Sequence, residues 1–263
     1  MTSAPSRFAL AALLAALAIA PATAGAQGKA KKKPAVKPAC GLRVLPMAPG
    51  VQWTYQYFVP EGVQLPPGVR IQDPPTMTVK VTKVEKSGDK TIISLEESYR
   101  KVVVNTQLEC DKKGLIVPPE SFFFAGQPGG GIQMTLGKIE RTAETNVFAG
   151  GALKGTARED LKTSVTRIPS EGSGAVLTPA KLEIERQMTV NPNKEVIESG
   201  LKSHKANRLT IVMTGRSTLE TTPDKPFNMP QLDVAMFFEP DVGVVQVRNS
   251  LGQGWKLSEM KTE

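Results

Sequence analysis

The stretch 50–58, with the sequence GVQWTYQYF, constrains the fold of this chain more than any other segment. In an extended strand successive side chains point to opposite faces, so Trp53, Tyr55 and Tyr57 share one face and polar residues occupy the other. Aromatic side chains on one face and polar ones on the opposite face are typical of a half-buried β-strand. We therefore predict that this strand anchors a sheet through its aromatic face.

The same alternation recurs along the rest of the chain, in segments that are separated by turn sequences. Met77, Val79 and Val81 alternate with polar residues, and residues 87–90, SGDK, then supply a hairpin turn. No long segment after the N-terminal region has apolar residues at helical spacing. The sequence predicts an all-β fold of roughly nine to twelve strands, arranged as a curved antiparallel sheet or half-open, clamshell-like barrel.

Proline and glycine residues predict several local features of the sheet. Residues 181–190 alternate as an amphipathic strand, and residues 191–194, NPNK, predict a turn after it. Gly215 interrupts the apolar pattern of the next long strand, which predicts a bend or a β-bulge. Residues 118–131 are rich in Pro and Gly, so they predict a break, and a subdomain boundary, within a single β-rich domain over residues 40–263.

The N-terminus has the pattern of a secretory signal peptide. Arg7 precedes an unbroken apolar run over residues 8–20, which is too short to span a bilayer, and residues 24–26, AGA, form a small-residue cleavage site. We predict that residues 1–26 are removed on export and that the mature bacterial protein is periplasmic or secreted. No later stretch is apolar over the ~18 residues that a membrane-spanning helix needs, so the mature chain is predicted not to span a membrane.

The formal net charge of +8 is concentrated in the short segment 27–39. This segment is rich in Lys, Ala and Pro and is predicted to be a disordered linker. Without it and Arg7 the chain is close to neutral, which argues against a nucleic-acid-binding surface. The segment is interpreted either as a solvated spacer or as a contact to an anionic envelope surface, made by Lys29, Lys31, Lys32, Lys33 and Lys37.

The chain has two cysteines, Cys40 and Cys110, and it lacks a C-x-x-C redox motif. An exported protein with an even number of cysteines most often pairs them. In the strand predicted to end at Cys110, this residue shares a face with Leu108, so its sulfur points inward. We predict a structural disulfide that ties the start of the folded body to a later strand.

Residues able to catalyse a reaction or bind a metal are few. His204 is the one histidine of the chain; it is interpreted as a solvated turn residue, and a zinc site would need several His or Cys ligands. Glu183 and Glu185 share the polar face of a strand, where a solvated surface explains them better than a calcium site or a glycosidase pair. We therefore predict no catalytic residue, no metal site and no cofactor.

One feature of the sequence favours an apolar ligand. Methionines recur on the apolar faces of the predicted strands, and flexible thioethers suit either an adaptable cavity or an irregular core. Residues 122–124 are three adjacent phenylalanines, which either close the edge of the core or line the mouth of a pocket. The residues that an apolar cavity would use are Met77, Phe122, Phe124, Met134, Met188, Met213 and Met236.

Three short motifs occur in a recognisable order: residues 50–55, GVQWTY, then 196–202, VIESGLK, then 238–245, FEPDVGVV. This order resembles a loose group of bacterial exported proteins that includes the DUF3108-like and TapB-like families. Members of that group begin with W-x-Y and end with an aromatic-x-P-G-V-G-L-V strand, where this chain has Asp241 in place of a glycine. The resemblance implies a curved antiparallel sheet like the clamshell of periplasmic lipoprotein carriers, and it brings no catalytic residues.

Three hypotheses for the function follow. The leading one is a non-catalytic exported envelope protein that acts as a binding or interaction module. The second is a periplasmic carrier of an apolar ligand, such as a lipid or an acyl chain, held in a concavity lined by Met and Phe side chains. The third is an envelope hydrolase, for which Glu183 and His204 are the residues to test.

Overall fold

The computed structural model describes the folded body of the chain and none of residues 1–38. The predicted signal peptide, the linker and its five lysines lie outside the described residues, so those assignments stay predictions. Every helix among the described residues is too short or too polar to cross a membrane. The described residues are 39–63, 74–99, 102–118, 120–126, 134–136, 140–143, 146–167, 179–200 and 202–262.

Thirteen β-strands, one short α-helix and two 3-10 helices, Ala39–Gly41 and Ala149–Gly151, make up the regular structure of the described residues. The sequence predicted roughly nine to twelve strands, because the short segment 140–143, ERTA, has no apolar alternation to recognise. Helix α1 spans Phe122–Ala125. The strands are β1 Gln52–Phe58, β2 Thr76–Ser87, β3 Lys90–Tyr99, β4 Val102–Asp111, β5 Gly114–Ile116, β6 Met134–Leu136, β7 Glu140–Ala143, β8 Thr156–Arg167, β9 Ala180–Ser199, β10 Lys202–Leu219, β11 Phe227–Glu239, β12 Gly243–Asn249 and β13 Gly254–Lys261.

All of these strands belong to one antiparallel sheet. Its order is β5-β4-β3-β2-β1-β13-β12-β11-β10-β9-β8-β6, and β7 also pairs with β8. The first and last strands of the chain are neighbours inside the sheet. From this pair, consecutive strands follow one another outward to β5 on one side and to β8 on the other. No described pairing joins β5 to β6, so the sheet is open, and the predicted antiparallel sheet is confirmed.

Strand β1 buries its aromatic face, as predicted, and shows that the sheet is curved. Trp53 and Tyr55 are fully buried. Trp53 Nε1 donates to the carbonyl of Val242 (2.6 Å), and the Tyr55 hydroxyl donates to the carbonyl of Val244 (3.1 Å). Strands β12 and β13 pair only over residues 246–248, so both carbonyls lie outside that ladder and find partners in side chains. Contacts that reach across β13 require a sheet that bends around its aromatic residues.

Residues 191–194 do not form the predicted turn, and that prediction is wrong. Strand β9 continues through them, and the chain turns at Gly200 into β10. Pro192 has no N–H to donate, which a strand tolerates where one of its sides is unpaired. Strand β8 pairs with β9 only on the N-terminal side of this segment, and the β9–β10 register shifts opposite it. The irregularity accommodates the proline without ending the strand.

Two backbone irregularities have clear causes. The predicted bulge at Gly215 is present, since the β10–β11 register shifts between Met213 and Gly215. Asp241 has a φ of 66°, in the left-handed region that favours glycine. The families that this chain resembles have a glycine at the corresponding position. Arg43 compensates: its Nε donates to the Asp241 carboxylate (2.9 Å), and its carbonyl accepts the Asp241 N–H (2.7 Å).

Cys40 and Cys110 form the predicted disulfide, with their Cα atoms 6.2 Å apart. Cys110 lies on the buried face of β4, and Cys40 belongs to the segment that precedes β1. That segment is part of the core, since Leu42, Leu45 and Met47 are buried. Because β3 and β2 separate β4 from β1 in the sheet, the bond fastens this segment across one half of the inner face.

Candidate functional site

The structure places the residues predicted to line an apolar cavity mainly in the hydrophobic core. Met134 lies on β6, and its side chain is outside the described residues. The six others do not line either of the two cavities described below. They pack against protein side chains, and a ligand-lining role for them stays a prediction. These six core residues are Met77, Phe122, Phe124, Met188, Met213 and Met236.

Helix α1 packs its phenylalanines against the aromatic face of β1. The ring of Phe122 lies 4.8 Å from that of Tyr55, and the ring of Phe123 meets Trp53 edge to face at 6.0 Å. Ser121 caps the helix, because its hydroxyl accepts the N–H of Phe123 (3.2 Å). The three adjacent phenylalanines are therefore core residues that cover the inside of the sheet.

A buried carboxylate holds this helix to the sheet. Glu97 of β3 is fully buried, and its Oε1 accepts hydrogen bonds from the hydroxyls of Thr106 and Ser121, both at 3.0 Å. The N–H of Phe122 donates to both carboxylate oxygens (3.0 and 2.9 Å). Sequence reasoning missed Glu97, although it shares a face with Leu95 in the alternating pattern, so a charge on an apolar face was the available signal.

Burial raises the pKa of Glu97 to about 7, although the hydrogen bonds from Phe122, Ser121 and Thr106 lower it. Removal of a carboxylate from water destabilises its charged form more than these donors stabilise it. Near neutral pH the group that holds helix α1 to the sheet is therefore ionised in only part of the molecules.

Glu97→Gln is expected to remove a dependence of stability on pH. The pKa of about 7 lies above the ordinary 4.5, so the native state keeps a proton that the unfolded chain releases, and wild-type stability falls as pH rises between these values. The difference in free energy of unfolding, variant minus wild type, should therefore increase by about 3 kcal/mol between pH ~5 and pH ~8. Urea titrations over this range measure the change.

The matched control for this prediction is Glu96→Gln. Glu96 adjoins Glu97 in β3 and is exposed on the opposite face, so its replacement should leave the pH profile of the wild type in place. Parallel profiles for the wild type and Glu97→Gln would contradict the assignment of the buried carboxylate.

A second cluster of buried charges joins β7, β8 and β9. The side chains of Arg186 and Glu159 are 3% and 2% exposed, and Glu159 also pairs with Arg141. Arg186 Nε donates to Glu159 (2.9 Å), and its guanidinium lies 3.9 Å from the centre of the Phe124 ring. Burial raises the pKa of Glu159, but the two arginines outweigh it and bring this pKa below its ordinary value. The cluster connects the second half of the sheet to helix α1.

His204 is not a solvated turn residue, and that prediction is wrong. It lies on β10 and is 2% exposed, with Nδ1 2.5 Å from Glu239 Oε2. The cause is the length of the β9–β10 hairpin, whose turn at Gly200 leaves His204 inside a strand. Ser199 is also buried, but its hydroxyl has no hydrogen-bond partner among the described residues. Among the described residues no hydrogen bond joins Ser199 to His204, so the hydrolase hypothesis stays a prediction.

A cavity of about 860 Å³ lies beside β4, between this strand and β7–β8. We call it the edge notch. The buried Oε2 of Glu120 and the buried Nε of Arg141 have no hydrogen-bond partner among the described residues. Burial raises the pKa of the Glu120 carboxyl. The notch therefore offers one unpaired acceptor and one unpaired donor. Its lining includes Asn105, Thr106, Gln107, Glu120, Arg141 and Leu161.

A second cavity, of about 510 Å³, includes the outward-facing Glu183 and Glu185. Lys162 lies 3.5 Å from Glu183, and Arg158 lies 2.9 Å from Glu185. Both carboxylates thus belong to ion pairs on a solvated face. In the part of the chain that the structure describes, no group of three or more His, Cys, Asp or Glu side chains is placed to hold a metal ion.

Comparison with known proteins gives two distant structural neighbours. One is described as an exported protein with a YmcC-like fold from Bacteroides fragilis (8% identity, TM-score 0.44), and the other as a lipoprotein from Parabacteroides distasonis (10% identity, TM-score 0.42). Each comparison covers 83% of this chain and 98% of the other. No protein-family model and no curated protein matches the chain, so the DUF3108-like and TapB-like grouping stays a resemblance.

Proposed function

We propose that this protein is a non-catalytic exported module, periplasmic or secreted, which binds another protein at the edge notch. The observation that supports the proposal is the position of the notch beside a part of β4 that has no second neighbouring strand among the described residues. Strand β5 pairs only with residues 109–111 of β4, and the notch borders residues 105–107. Unpaired buried groups next to a free strand edge are typical of a surface that a partner completes.

Export and contact with an anionic envelope surface belong to the same proposal and rest on the sequence. The signal-like residues 1–26 supply the export pattern, and the lysines of the segment 27–39 supply the positive charge. A carrier of an apolar ligand is the second candidate. The observation that favours it is the Met-rich core beneath the phenylalanines of helix α1, since flexible thioethers suit an adaptable apolar site.

Site-specific photo-crosslinking in the cells that produce the protein tests the proposal. A photoreactive amino acid at Asn105, which is exposed in the notch, is expected to give one discrete adduct with another protein. The same group at Val196, which is 66% exposed on β9, is the control and should not give that adduct. A lipid adduct identified by mass spectrometry would favour the carrier, and equal adducts from both positions would contradict a binding site at the notch.

A further inference from the structure

Among the residues that the structure describes, strand β4 has one side that is paired along its length and one side that is mostly open. Strand β3 pairs with residues 102–110, whereas β5 covers residues 109–111 on the other side. Within the described ranges, residues 102–108 therefore have no strand on their second side. Their outward N–H and C=O groups form a template for another strand.

Proline explains why β5 leaves this edge open. Strand β5 ends at Ile116, and Pro118 has no N–H with which to continue the ladder. The carbonyl of Pro118 instead accepts the N–H of Ser121 (3.1 Å), and the chain turns into helix α1. The edge notch is the gap that this departure leaves beside β4.

The sequence of the open edge suits an added strand. Residues 102–108, VVVNTQL, contain three valines and neither a charge nor a proline, and Val103 is 57% exposed. Proteins commonly protect an exposed edge strand with lysine, proline or an inward-pointing charge, and residues 102–108 have none of these. An unprotected edge of this composition is the surface that extended peptides use when they add a strand to a sheet.

The notch also holds the carboxylate of Glu120, which forms no ion pair within the described part of the chain. One buried oxygen of Glu120 has no hydrogen-bond partner among the described residues. Two cations that line the notch have other partners: Lys90 pairs with Glu109 (2.7 Å), and Arg141 pairs with Glu159, although its Nε stays without a partner among the described residues. A partly desolvated carboxylate is stabilised most by a cation that enters the same water-poor space.

We propose that the edge notch binds an extended peptide segment of another protein, which adds to β4 as a strand and places a Lys or Arg side chain against Glu120. This inference rests on the proposed function and names the class of partner. Backbone hydrogen bonds along residues 102–108 supply affinity that does not depend on sequence, and Glu120 supplies the preference for a basic side chain. A second copy of β4 fits less well, because residues 102–108 carry no basic side chain.

Synthetic peptides added to the full mature chain test the inference. The Lys probe is Thr-Val-Thr-Lys-Thr-Val-Thr, and the Glu probe has Glu at its centre. Fluorescence anisotropy is expected to show that the Lys probe binds at least about fivefold more tightly than the Glu probe. Two further probes carry N-methyl groups on the amides of one edge or of the other, and one of them should lose at least about tenfold in affinity while the other binds like the Lys probe.

Variants locate the preference in the notch. Glu120→Gln is expected to reduce the Lys-to-Glu preference below about twofold. Glu198→Gln is the control, because Glu198 is exposed on β9 and does not line the notch, and it should leave the preference unchanged. Hydrogen exchange should show that those amides of residues 102–108 that point away from β3 become protected when the Lys probe binds.

Several results would overturn the inference. Equal binding of the Lys and Glu probes removes the role of Glu120, and equal binding of the two N-methyl probes removes strand addition. Sedimentation as a dimer in which the amides of residues 102–108 that point away from β3 are protected without peptide assigns the edge to a second copy. If no probe binds while crosslinking at Asn105 in cells still yields an adduct with another protein, the proposed function stands and strand addition is wrong.

Discussion

Glu159→Gln is expected to lower the free energy of unfolding by about 3–5 kcal/mol. The substitution hardly changes side-chain volume, so its effect reports charge. It leaves the fully buried guanidinium of Arg186 without a counter-charge and next to Arg141, a second positive charge. An uncompensated buried charge loses hydration that no remaining partner replaces. Urea unfolding at neutral pH, followed by tryptophan fluorescence, measures the loss.

The neighbouring strand offers a matched control for this prediction. Glu183 pairs with Lys162 at 3.5 Å on the outer face, where its side chain is 54% exposed, so Glu183→Gln should cost less than about 1 kcal/mol. The double variant Glu159→Met/Arg186→Met removes both buried charges and should recover most of the loss, because the desolvation of both ions disappears with them. Equal losses for Glu159→Gln and Glu183→Gln would show that the cluster is not buried in solution.

The sheet could be predicted from the sequence because its strands are half-buried. Trp53, Tyr55 and the alternating valines and methionines of later strands mark the inner face directly, since each strand has one apolar and one polar side. The alternation fixes which side chains face inward, but it contains no information on which strands pair. The pairing of β1 with β13 joins the two ends of the sheet-forming chain, and it follows from tertiary packing.

The candidate site was harder to predict, because it consists of exceptions to the pattern. Glu97 and Arg186 both lie at inward positions of strands whose alternation is clear in the sequence. Each is a single charge in a row of apolar residues, and the apolar pattern alone does not reveal it. Their partners come from other strands or from helix α1, so spacing along the chain cannot reveal them. His204 was misassigned for a related reason, since a proline in β9 indicated a turn where the strand continues.

The edge notch had no signal in the sequence. Its floor depends on where β5 leaves β4, and its walls come from segments that are distant in sequence, including Thr106, Glu120 and Arg141. The prolines that follow β5 were visible as a break, but a break does not show which strand loses its neighbour. Only the order of the sheet identifies residues 102–108 as an open edge.

Removing the Cys40–Cys110 disulfide is expected to cost about 4 kcal/mol, because the bond closes a long loop in the unfolded chain. The sequence separation is 70 residues, and cross-linking a loop of this length strongly restricts the unfolded ensemble. The variant Cys40→Ser/Cys110→Ala tests the loss, with alanine chosen for Cys110 because that position is buried. Urea unfolding of the wild type with and without a reductant gives a second measurement of the same quantity.

The variant Cys40→Ser/Cys110→Ala also serves as the control for side effects of the reductant. The reductant should shift the unfolding midpoint of the wild type and leave that of the variant unchanged. Cys110 follows the open edge in β4, and Cys40 holds the buried segment of Leu42, Leu45 and Met47 against the inner face. Loss of the bond should therefore speed hydrogen exchange first in that segment and at the end of β4. If the variant unfolds within about 1 kcal/mol of the wild type, the unfolded chain already holds these segments together, and the entropic account of the bond is wrong.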